Sequence, residues 1–78
     1  MKLNPIELEI LNVLTCDMEE NGRDYSILTN NEISKKIDVS VFSVRDKIIN
    51  LSKKNVIVKR NNVWDRNKKF HNRIIYLR

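Results

Sequence analysis

The sequence predicts an α+β domain, three helices followed by a two-stranded β-hairpin. Three observations carry this. Apolar residues recur at helical spacing in three consecutive segments, each opened by a side chain suited to a helix start. The period then changes to the β-branched, apolar runs "VIVKRNNVW" and "RIIYL". The 78 residues, 41% of them hydrophobic, leave room for one core and no second domain.

Helix 1 is expected over about residues 5–20, in "NPIELEILNVLTCDMEENG". Asn4 suits the N-cap, and Pro5 sits where a missing N–H costs nothing. Ile6, Ile10, Val13 and Leu14 form the inward stripe, Glu7 and Glu9 favour the positive end of the helix dipole, and Gly22 is a natural stop. Leu8, Leu11 and Thr15 make a second, weaker apolar face. After a turn around "GRDYS", helix 2 is expected over about 30–37. Thr29 and Glu32 form a capping box, Leu28 stands where a hydrophobic staple would, and Ile33 and Ile37 face inward. "DVS" is the turn into helix 3, about 41–54, which Ser40 caps. Val41, Val44, Ile48 and Leu51 line one side of it. Lys53 and Lys54 suit the negative end of its dipole, and Asn55 can take the left-handed conformation that ends it. The hairpin spans about 56–78, its strands joined by the basic loop "DRNKKFHN"; a shorter hairpin turning at Asn61-Asn62 is the alternative.

Several function classes are poorly served. No apolar run approaches the roughly 18 residues of a membrane span, and the start "MKLNPIELEILNVL" is interrupted by Glu7 and Glu9, against a secretory leader. Cys16 is the one cysteine, so no internal disulfide is expected, which fits a reducing cytoplasm. It reads as a small buried or half-buried hydrophobe in a helical segment. There is no glycine-rich loop, no Cys/His cluster and no acid pair near a histidine, so no enzyme, metal or cofactor is expected.

Charge is unevenly distributed. Residues 1–34 carry Lys2 and Arg23 against seven acids, a net of −5; residues 35–78 carry thirteen basic residues against Asp38, Asp46 and Asp65, a net of +10. Such asymmetry suits one face aimed at a polyanion, with an ordinary solvated surface as the plain alternative.

The stretch Leu28–Val58, "LTNNEISKKIDVSVFSVRDKIINLSKKNVIV", has a Leu-Thr start, a Glu-Ile pair, a Val-Ser turn and an apolar stripe ending in Lys-Lys before a strand. With helix 1 in front and a hairpin carrying "DRNKK" behind, it resembles the winged helix-turn-helix core of MarR-type and related small regulators. The long flanking helices through which those regulators dimerise have no counterpart in these 78 residues, and no small-molecule effector is expected.

The resemblance implies a double-stranded DNA-binding protein, a transcriptional regulator or repressor acting by occupancy. Helix 3 would enter the major groove with its N-terminal half at base edges. Carried over by position, Val41, Phe42, Ser43, Arg45 and Asp46 are the base-reading candidates, with the cap Ser40 beside them. Phe42, Asp46 and Lys53 point outward on a helical wheel, and Val41 is half buried. Phe42 suits a thymine methyl, Asp46 a cytosine amino group, Arg45 a guanine or phosphate. Phe42 beside Ile49 could equally be a protein-contact patch. Lys35, Lys36, Lys53, Lys54, Lys59, Arg60, Arg66, Lys68, Lys69 and Arg73 are candidates for phosphates, with Arg66 best placed for a minor groove and Asp65 orienting it. Trp64 and Phe70 are expected to cover the core side of the hairpin, with stacking on unpaired bases as the alternative. His71 is expected to be solvated or on a phosphate. Two other readings stand beside this one: a winged-helix protein-interaction module, and a plasmid or viral replication or segregation factor. A homodimer through helix 1 is expected, because Leu8, Leu11 and Thr15 have little use in a monomer beyond covering by Tyr76 and Leu77.

Overall fold

Helix ends are where backbone groups lack partners, and here each end carries a cap that satisfies some of them. The computed structural model describes residues 2–78. Helix α1 (Pro5–Glu20) opens with Asn4, whose side chain accepts from the Glu7 N–H while the Glu7 carboxylate accepts from the Asn4 N–H. This is a complete capping box, of which the sequence reading named only the Asn4 half. Gly22 (φ 60) ends the helix, with the Arg23 N–H returning to the Met18 carbonyl. Helix α2 (Asn30–Ile37) starts at the expected Thr29/Glu32 box and stops at left-handed Asp38. Helix α3 (Val41–Lys53) is capped by Ser40, and Asn55 (φ 61) closes it as the Val56 N–H bonds the Leu51 carbonyl.

Strands β1 (Ile57–Trp64) and β2 (Phe70–Leu77) form one antiparallel hairpin, with Ile57 opposite Leu77 and Trp64 opposite Phe70. The turn is therefore at residues 65–69, not at Asn61-Asn62. Strand β2 runs further toward the tip than the apolar run indicated, because Phe70, His71 and Asn72 belong to it, while β1 ends at Trp64 as expected. The pairing skips Asn62, which is left-handed (φ 55), a conformation asparagine tolerates better than most residues. The "GRDYS" segment is more than a turn: Ser26 exchanges both backbone hydrogen bonds with Ile75, at 2.7 and 2.9 Å, so it adds a bridge on the outer edge of β2. Ser26 is buried, and its hydroxyl donates to Asp17 and accepts from the Leu28 N–H.

The core is aliphatic. Ile10, Leu14 and Met18 of α1, Leu28 and Ile33, Val44, Ile48 and Leu51 of α3, and Ile57 and Ile75 of the hairpin meet in it. Leu11 packs against it, partly buried, so the weak second face expected on the first helix is mostly absorbed; Leu8 stays 53% exposed. One charge enters this core. Glu7 is fully buried and bound by the Lys54 ammonium at 2.8 and 3.0 Å, which ties the start of α1 to the end of α3. Among the described residues no helix is long and apolar enough to cross a membrane.

Candidate nucleic-acid interface

Packing decides which side of α3 is free. Val44, Ile48 and Leu51 are buried, which leaves Phe42, Arg45, Asp46 and Lys53 exposed; Phe42 reaches 70% exposure. Val41 and Ser43 are half buried, and Ser40 is exposed with its hydroxyl engaged by the Ser43 N–H. Arg45, Asp46, Lys53, Arg66, Lys68 and Lys69 make no ion pair among the described residues.

Beside the start of α3 lies an open groove lined by Thr29, Asn30 and Asn31 at the start of α2, by Val41, and by Asn72 and Arg73 of β2. The N-terminal ends of α2 and α3 and the middle of the hairpin thus meet at one place. Helix N-termini present free N–H groups and the positive end of the dipole, so this groove suits an anion. Asn30, Asn31 and Asn72 were missed in the sequence; polar amides beside a recognisable capping box were the available signal.

Arg73 is half buried, and its guanidinium is already engaged. Its guanidinium donates to the Asn30 side chain at 2.6 Å and to the Leu28 carbonyl, and partial burial lowers its pKa from the usual value. It fastens the hairpin to the start of α2. Lys54 is likewise engaged inside the molecule, by Glu7 and the Lys2 carbonyl. Both residues exchange a place among phosphate candidates for a structural one, because each finds a buried acceptor within reach. Arg60 is exposed but tethered: its Nε donates to the Tyr76 hydroxyl at 2.9 Å with the guanidinium near that ring. Lys35 and Lys36 are both exposed; Lys36 also lines a depression with Asp17 and Glu20 of α1.

The hairpin tip departs most from expectation. Asp65 does not orient Arg66. Its carboxylate accepts from the Asn67 and Lys69 N–H groups at 2.8 and 2.9 Å and contacts His71 Nε2 at 3.0 Å. These contacts hold its pKa below the usual carboxylate range, the Lys69 N–H contributing most, then His71. His71 is half buried between Asp65 and Tyr25 rather than solvated. Trp64 and Phe70 do not cover the core. They pair across the strands at 5.2 Å, edge to face, and stand 67% and 46% exposed at the tip. The hairpin runs past the helices, so an alternating pattern there has no core side to point to.

Among the described residues no group of three or more His, Cys, Asp or Glu side chains is arranged to hold a metal ion. No protein-family model, curated protein or solved structure matches this chain.

Proposed function

We propose that the chain is a winged-helix protein that binds double-stranded DNA and regulates transcription by occupying its site. The outward edge of α3 carries this reading: Phe42, Arg45, Asp46 and Lys53 are exposed and in no ion pair among the described residues, on a helix whose other side is locked into the core. A reading element must be rigid and must keep its polar groups free. In the major groove Arg45 suits guanine, Asp46 a cytosine amino group and Phe42 a thymine methyl. The hairpin, as the wing, follows the backbone with Arg66, Lys68 and Lys69, and the groove at the start of α2 takes a phosphate through Asn30 and Asn31.

Selection of bound sites from a random duplex library tests this. Arg45→Ala and Phe42→Ala are expected to change the sequence selected. Lys68→Ala with Lys69→Ala is expected to weaken all duplexes about equally, since phosphate contacts carry no direct sequence information. If the wing double variant alters preference and the helix variants do not, α3 is not the reading element.

A further inference from the structure

The core contains no aromatic ring. All five aromatic side chains, Tyr25, Phe42, Trp64, Phe70 and Tyr76, lie outside it, and Phe42, Trp64 and Phe70 are exposed large hydrophobics. Two of those three are held together at the hairpin tip, among Arg66, Lys68 and Lys69, all exposed and none in an ion pair among the described residues.

The pair is not needed to close the turn. The Asp65 and Lys69 backbones bond each other at 3.0 Å, the Lys68 N–H bonds the Asp65 carbonyl, and the Asp65 carboxylate binds two further N–H groups. In an edge-to-face pair one ring covers at most one face of the other, so π-surface remains open on both. A flat apolar face with cations a few residues away matches a nucleobase with its flanking phosphates. A paired duplex does not offer base faces. An anionic lipid surface would also take an aromatic pair beside cations, which makes vesicles an arm of the test, but the open flat ring faces favour bases.

We propose that the hairpin tip binds unpaired nucleobases of single-stranded nucleic acid, with the wing cations shared between duplex and single strand and the aromatic pair used by the single strand. Trp64 and Phe70 stack on adjacent bases, and Arg66, Lys68 and Lys69 take the phosphates on either side. The site does not depend on α3 reading a duplex. In a molecule that does both, the tip selects places where a duplex adjoins an open strand.

Trp64 is the one tryptophan, so its fluorescence reports the tip directly. The full chain is titrated at low salt with oligothymidylate, with oligouridylate, with a blunt duplex, and with vesicles of phosphatidylcholine and phosphatidylserine. Saturable quenching by either single strand is expected, and which of the two binds tighter separates DNA from RNA as its source. With Trp64→Ala and Phe70→Ala together, a labelled single strand is expected to bind about tenfold or more weaker, with duplex affinity changed less than about twofold. Trp64→Phe is expected to keep most of the single-strand affinity. The melting temperature of each variant checks folding. No quenching by either single strand, quenching by vesicles alone, or equal loss of single-strand and duplex binding in the double variant overturns the proposal. Quenching by single strands in a protein that ignores blunt duplex supports this site and removes the reading of α3.

Discussion

Glu7 shows how one side chain can serve a helix start and the tertiary fold together. It completes the cap of α1 and neutralises Lys54 at the end of α3. Its pKa lies below the usual carboxylate range, held down first by the Lys54 ammonium and then by the Asn4 N–H, against its own burial. A carboxyl with a lowered folded pKa contributes stability above its unfolded value and loses it as pH falls through the folded one. Lys54→Met is therefore expected to cost about 1–3 kcal/mol at pH 7, less than for a fully buried pair because Lys54 is 34% exposed. The difference from wild type shrinks in acid, once Glu7 is protonated in both states. Urea unfolding at neutral and acid pH reads this directly; equal stability at pH 7 would contradict the role given to the pair. Phe42 is the opposite case. At 70% exposure it has little packing to lose, so Phe42→Ala is expected to leave stability within about 0.5 kcal/mol while changing the preferred duplex.

The hairpin is the element whose behaviour rests on a single turn. Asp65 gathers two N–H groups and His71, so Asp65→Ala is expected to loosen residues 65–71 and broaden their amide resonances, with the helices unaffected. Unchanged amide signals at the tip would contradict that role. The helices were legible in the sequence because caps and apolar spacing are local signals: Thr29 with Glu32, Ser40, Gly22 and Asn55 stand where their chemistry indicates. The fold's non-local features were not legible. The Ser26 bridge to Ile75 involves one residue and has no period to detect. The polar start of β2 is held as strand by pairing and by Arg73 reaching back to Asn30, which side-chain character alone does not encode. For the site, the exposed edge of α3 followed from its buried stripe, since the two are set by one helical period. The roles of Lys54, Arg73, Asp65 and the Trp64–Phe70 pair depend on groups distant in sequence or across the hairpin.

At the scale of the whole molecule, charge and symmetry decide what the protein can hold. We propose a homodimer, which would let two copies of α3 meet half-sites about one helical turn apart. Leu11 packs on the core, so Leu8 is the apolar residue that α1 leaves open, and Leu8→Glu is the cleaner variant to test. Sedimentation over a concentration series is expected to show a dimer that Leu8→Glu weakens; a wild type that stays monomeric removes α1 as the interface. The acidic N-terminal half and the +10 balance of residues 35–78 would suit the proposed contact with a polyanion. Contact with six to ten phosphates implies an affinity loss of roughly 10³ to 10⁵ between 50 and 200 mM salt. With Lys54 and Arg73 engaged inside the fold, the lower end, about 10³, is expected. The most direct test of duplex recognition is therefore the affinity for mixed-sequence duplex measured against salt concentration. A steep linear fall of log affinity with log salt is the predicted result; a flat line, or no binding at low salt, would contradict it.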